Sequence, residues 1–349
     1  MSSELDELRG LLEQLAEETE SIPFSQLYTL SDLSGQKLAE FQTAWENFPA
    51  SQRQRLIHAL VELAEASFQV NFDAIFFHCM DDPAEEVRAA AIDGLWEYDQ
   101  VALVGPLLAK LRADPAVQVR AAAAAGLGRY VLAGELEQLE APIQNRILTE
   151  LLTTIHLAGE SVEVRRRAIE SAAYACVPEV LELLQIAYYD EDERMRMSAV
   201  VGMGRSCDKR WRDIVVAELE SRSTAMRYEA ALACGELSLQ SAVPTLTRLL
   251  DDADPEVRSA SIWALGQINS SLAKQALLEA YDGADEETRA ALEDALAEQA
   301  LAEGEVEFVL YEMDNGLGAD PLDNELLVGW PADDDVDDLD LEDWESDNE

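Results

Sequence analysis

Apolar residues recur along this 349-residue chain at the three- and four-residue intervals of a helix face, and the face itself repeats. The clearest marker is an arginine between apolar neighbours. It stands at Arg165, Arg196, Arg227, Arg258 and Arg289, each 31 residues after the last, while upstream Arg120 and Arg88 are 32 apart and Arg55 comes 33 earlier, in QRQRLIHALVELAE. The residue before it is Val87, Val119, Val164, Met195, Met226 or Val257. Three after it comes Ala91, Ala123, Ala168, Ala199, Ala230 or Ser261, and seven after it Leu95, Leu127, Ala172, Met203, Cys234 or Leu265. Positions −1, +3, +4 and +7 share one side of a 3.6-residue helix, so the spacing predicts an amphipathic helix whose small residues permit close packing. Acidic turns precede it, DDP at 81–83, ADP at 113–115 and DDADP at 251–255. Asp there caps free N–H groups, and Pro suits a first helical turn. The other half of each unit, as in VALVGPLLAKLR or SAVPTLTRLLD, predicts a second short helix. One such pair cannot bury its apolar face alone, so stability should come from stacking on its neighbours.

From Arg120 to Arg165 the gap is 45, and the excess falls at 134–142, where Gly, Glu and Pro interrupt the pattern. This predicts a longer loop within one array. Ahead of the array, residues 1–50 form a helical cap in which SDLSGQKLAEFQTAWENFP packs over the first unit, with Trp45 and Phe48 in the core. The array spans 51–302, and an acidic segment, 303–349, follows it.

DDADPEVRSASIWALGQI at 251–268 and DDPAEEVRAAAIDGLWE at 81–97 resemble HEAT repeats, of the short bacterial type named after phycobilisome lyases, and the resemblance covers about 53–300. It implies an all-α fold: an α-solenoid of about eight helical pairs whose arginine helices line the concave surface. It also implies an aspartate six residues before each arginine, linking successive units in a ladder. Asp82, Asp114, Asp190 and Asp252 occupy that place, whereas Gly159 and Ser221 depart from it, with Glu160 able to substitute beside the former. The TPLH-like and Trp/Tyr patterns of ankyrin and tetratricopeptide arrays are absent. Two activities are known on such repeats. One is lyase or chaperone action on a chromophore-bearing protein. The other is the oxidoreductase chemistry of deoxyhypusine hydroxylase, whose irons are held by His-Glu dipeptides. Here His58, His78 and His156 are followed by Ala, Cys and Leu, so that motif does not occur.

Charge narrows the partners. With 71 Asp and Glu against 25 Lys and Arg, the formal net charge is −46, which repels nucleic acid and anionic lipid. No phosphate-cradling, nucleophile-elbow or zinc-ligand spacing is present, so no catalytic residue, metal or cofactor is assigned. No stretch approaches the roughly 20 apolar residues a membrane helix needs. The first segment, with Leu5, Leu8, Leu12 and Leu15 among acids, reads as an amphipathic helix and not as an export signal. Cys79, Cys176, Cys207 and Cys234 occur singly in helical sequence, which fits free, buried thiols in a reducing cytoplasm.

A non-enzymatic protein-binding adaptor or assembly factor is therefore expected, and two features point to its surface. Positions +1 and +5 after each arginine lie nearly opposite the buried face and are mostly polar or small. Three consecutive units instead carry Met197 and Val201, Tyr228 and Leu232, and Ser259 and Trp263. Beside them runs a net-positive stretch with Arg194, Arg196, Arg205, Lys209, Arg210, Arg212, Arg222 and Arg227, a candidate seat for an acidic segment. The partner-binding set is thus Met197, Val201, Tyr228, Leu232, Trp263, Arg194, Arg205 and Arg210. The second feature is the tail, whose 19 acids stand without one Lys or Arg. Its composition predicts disorder, above all from Pro331 onward, but Trp330, Leu339, Leu341 and Trp344 interrupt it as a folding-on-contact motif would. The expectation is that the tail docks within its own chain on the arginine-rich middle units and competes there with an external protein.

Overall fold

The computed structural model describes residues 2–17, 24–281 and 283–303. The chain divides into two units, 1–303 and 304–349. The tail motif Trp330, Leu339, Leu341 and Trp344 lies outside the described residues.

Among the described residues every regular element is helical. Eight helices form one layer: Ala50–Ala66, Glu85–Gly94, Val117–Glu135, Val162–Ala172, Glu193–Arg205, Thr224–Glu236, Pro255–Gln267 and Glu286–Glu303. Each packs on the next, and the second layer is made by the helix that precedes and packs on each from the second onward, for example Val104–Ala113, Pro178–Tyr188 and Val243–Leu249. This is an α-solenoid. The residues at −1, +3 and +7 are buried throughout the units from Arg88 to Arg258, because they face both the partner helix and the neighbouring unit. At the N-terminal end, the helices Ser2–Glu17 and Gly35–Asn47 bury Leu8, Leu12, Leu15, Phe41, Trp45 and Phe48.

A glycine seam sets the spacing of the arginine layer. Gly204, Gly235 and Gly266 stand eight residues after their arginines. A Cβ on them would lie 2.9, 2.9 and 3.0 Å from the Cα of Ala233, Ala264 and Ala295, six after the next arginine. Only a hydrogen at these positions lets the backbones approach so closely.

Where the ladder forms, it runs from an arginine to a carboxylate of the following unit. Arg88 grips Asp114 with two hydrogen bonds of 2.8 and 2.9 Å, and Arg227 grips Asp252 with two of 2.9 Å. At the Gly159 departure Arg120 takes Glu160 instead, at 2.7 and 3.0 Å. The aspartate six residues before the arginine also turns the chain into the next helix: Asp82, Asp114, Asp190 and Asp252 accept the N–H two residues ahead at 2.8 to 3.0 Å. At 221 the rung is missing, since Ser221 offers no carboxylate, and Arg196 donates to the carbonyls of Asp190 and Glu191. Asp190 also forms no rung: Arg165 Nε is buried without a hydrogen-bond partner.

Several expectations are corrected. In the first unit the ladder arginine is Arg53, 2.9 Å from Asp82, and not the exposed Arg55. Trp45 Nε1 donates to the same carboxylate at 2.8 Å, which ties the cap to the ladder. The excess between Arg120 and Arg165 lengthens two helices, Val117–Glu135 and Ala141–His156, and leaves only 136–140 between them. Helix-forming Leu, Val and Ala carry the first one onward. Its Tyr130 hydroxyl donates to the carbonyls of Tyr98 and Gln100 at 3.0 Å, and Gly134 admits the Gln144 side chain. Pro255 opens its helix, whereas Pro83 and Pro115 stand in the turns two residues before theirs. Cys79 and Cys234 are buried, but Cys176 and Cys207 are exposed, because both fall eleven after their arginines, in the turns that end the helices and not on the packed face.

Candidate interaction face

On the side of the arginine layer turned away from the second layer, charges of different units reach one another. Asp93 and Arg167, two units apart, act on each other electrostatically across the intervening helix, and so do Glu170 and Glu229.

The floor of this face changes character along the array. In the Arg88, Arg120 and Arg165 units the +5 residues are Asp93, Ala125 and Glu170. Glu170 is buried, and its carboxylate accepts Arg167 at 2.9 Å, Arg166 at 3.4 Å and the Ser198 hydroxyl in a short contact. In the next three units the floor is apolar. Tyr228, Leu232, Ser259 and Trp263 line one shallow groove of about 500 Å³, to which Glu256 and Glu287 contribute from the first turns of their helices. Trp263 is 40% exposed, and its indole rests over Gly235, 2.6 Å from where a Cβ would stand. Met197 and Val201 lie one helix away, both half-buried, with Met197 packed against the core.

The structure therefore brings together Tyr228, Leu232 and Trp263 as the spacing predicted. It does not add the arginines to them as a free cationic seat. Arg194 and Arg205 sit near opposite ends of Glu193–Arg205, and Arg210 lies beyond it. Arg194 pairs with Asp192 at 2.8 Å, and Arg210 pairs with Asp208 at 2.7 Å while stacking on Trp211. Arg205 stacks over Tyr174 and donates to the Glu170 carbonyl at 3.1 Å. Arg212 and Arg227 are taken by Asp213 and Asp252. The stretch is positive only when counted from 194, because its neutralising acids lie just upstream at 190–193 and in the following unit.

Carboxylates are crowded on this face instead. Burial and the charge of Glu170 push Glu229 up, against Arg205, Arg167 and Arg166. Glu236 is pushed up to about 7 by burial, with Arg205 opposing and Glu229 reinforcing. Burial and the charges of Glu229 and Glu256 raise Tyr228 as well. The sequence reading missed Glu256 and Glu287. Both stand two residues before the register arginine, a position it did not tabulate, in consecutive units.

His58, His78 and His156 lie on three different helices, and among the described residues no three His, Cys, Asp or Glu converge as metal ligands. No helix of the described residues is long and apolar enough to cross a membrane.

A family model described as HEAT repeats matches residues 212–297, the stretch that carries the groove. No curated protein sequence matches. Among solved structures, human deoxyhypusine hydroxylase is similar at 17% identity over 86% of this chain and 98% of its own, with a TM-score of 0.33. Yeast importin-beta is similar at 14% identity over 89% of this chain and 48% of its own, with a TM-score of 0.44. The family match at 212–297, and the same helical pair and arginine register extending back to Arg53, give this chain an α-solenoid fold of HEAT-like helical pairs.

Proposed function

We propose that this protein is a non-enzymatic scaffold or assembly factor that takes a protein partner on the concave face of the Arg196, Arg227 and Arg258 units, in the cytoplasm. The observation that carries the reading is the groove itself: an accessible indole, a tyrosine and a leucine gathered on a face that elsewhere is closed by alanines and ion pairs. Aromatic side chains held on rigid helices are the residues that anchor interfaces, and an apolar cluster left in water is retained at a cost in solubility. The repeat units are of the short bacterial phycobilisome-lyase type on this reading, on the strength of DDPAEEVRAAA and DDADPEVRSAS. The acidic residues 303–349 modulate the affinity through their charge.

The test is affinity purification from native lysate with the full chain, a Tyr228→Ala/Leu232→Ala/Trp263→Ala variant and a chain ending at Pro331, each first shown to be folded. Loss of a partner with the triple variant supports the reading, and an altered yield with the truncation supports the modulatory tail. Visible absorption in the captured complex would make the partner chromophore-bearing and the protein a lyase-like chaperone. An identical partner set for all three proteins would refute the scaffold reading.

A further inference from the structure

The groove's chemistry selects its occupant. Two of its lining residues are carboxylates, Glu256 and Glu287, and none is a lysine or arginine. Both carboxylates are exposed, and neither has an ion-pair partner among the described residues. The cations that could have neutralised them are committed elsewhere. Arg227 is held in the ladder by Asp252, Arg258 Nη1 donates to the carbonyls of Asp252 and Ala253, and Arg289 lies over the Tyr281 ring at 5.7 Å. Tyr228 and Trp263 contribute aromatic rings beside these acids. Such rings attract cations by their quadrupole, and a lysine or arginine stem can cover apolar surface while its head meets a carboxylate.

We infer that the groove receives a basic segment of a protein partner, a stretch in which lysine or arginine alternates with apolar residues. A cation settles between the aromatic rings and the Glu256 and Glu287 carboxylates, and an apolar neighbour covers Leu232. This deepens the scaffold reading, on which it rests, and replaces the acidic occupant that the arginine count suggested. Glu256 and Glu287 also lie in first helical turns, where a carboxylate complements the helix dipole. A binding measurement separates that stabilising role from recognition.

The experiment follows the fluorescence anisotropy of a labelled peptide of alternating lysine and leucine, with a glutamate–leucine peptide of equal length beside it, on addition of the full-length protein. Glu256→Gln/Glu287→Gln is compared with Glu46→Gln/Glu182→Gln, the same charge change on helices away from the groove, after circular dichroism shows equal helicity. Two exposed carboxylate contacts acting together predict that the groove pair weakens the lysine peptide by about tenfold and the distant pair by no more than about twofold. Trp263→Ala should weaken it as well. Equal weakening by both pairs, or equal binding of the glutamate peptide, overturns the inference. The two readings fail separately in the native purification. A partner lost with the triple alanine variant but kept by Glu256→Gln/Glu287→Gln leaves the scaffold and sinks the cationic occupant, whereas a partner kept by both sinks the two together.

Discussion

Replacing Ser221 with aspartate should close the missing rung of the ladder. The expected gain follows from its neighbour: Arg227 donates two hydrogen bonds of 2.9 Å to Asp252, with side chains only 17% and 9% exposed, and Asp252 also accepts the Asp254 N–H at 3.0 Å. Arg196 is already aimed, since its Nη1 holds the carbonyls of Asp190 and Glu191 just as Arg227 Nη1 holds that of Ser221. Hydrogen bonds to charged groups are worth about 1.5–3 kcal/mol, exposed ion pairs about 0–1 kcal/mol, and this half-buried pair falls between, at about 1–2 kcal/mol. An aspartate before a helix gains about 0.3–1 kcal/mol from the dipole without any arginine, so the design needs Arg196→Met as a second background. Urea unfolding should give Ser221→Asp the full gain in the native background and only the dipole share beside Arg196→Met. The gain has a defined pH window. Hydrogen bonds from Arg227 hold Asp252 below the usual carboxylate range, and an aspartate at 221 should be held likewise. Its stabilisation is therefore complete above the unfolded value, about 3.9, and is lost as pH falls through the lower folded one. A gain equal in the two backgrounds, or none, would refute the ladder as a source of stability.

Three further outcomes are expected. Gly235→Ala and Gly266→Ala place a Cβ within 3.0 Å of the facing backbone and should each destabilise by about 1–3 kcal/mol in urea unfolding; Gly10→Ala, with nothing within 4 Å, should stabilise by about 0.5–1 kcal/mol, and similar effects at all three would refute the seam. A thiol reagent should modify Cys176 and Cys207 in the native protein and reach Cys79 and Cys234 only after denaturation, burial having raised Cys234 to about 12; four equally fast thiols would contradict this packing. Because Glu236 titrates at about 7 when folded, above the unfolded glutamate value of about 4.3, its contribution is fully present below that lower value and is lost as pH rises towards about 7. Glu236→Gln should therefore flatten the decline of stability between those pH values, and unchanged slopes would refute the shift.

How much was legible in advance can be read from particular residues. The buried face at −1, +3 and +7 was visible because helical periodicity is local: a side chain's direction follows from its place in the turn. Tyr228, Leu232 and Trp263 were found by the same reasoning, as breaks in the pattern on the opposite face. The rung from Arg120 to Glu160 was also readable, since the substitute acid stands next to the vacant position. What escaped depends on neighbours distant in sequence. The window that made 194–227 look basic excluded Asp192 and Asp252, and only packing shows which carboxylate each arginine meets. The glycines at +8 count because the alanine six residues after the next arginine presses on them, a contact between units. The excess between Arg120 and Arg165 became helix on both sides of 136–140, and tertiary contacts of Tyr130 and Gly134 support the extension against local interruption. The sequence by itself determined the repeat, the helices and the apolar stripe, which arise from short-range periodicity. The tertiary structure alone decided the pairing of charges and the acidic rim of the groove, because electrostatic partners are chosen by distance in space.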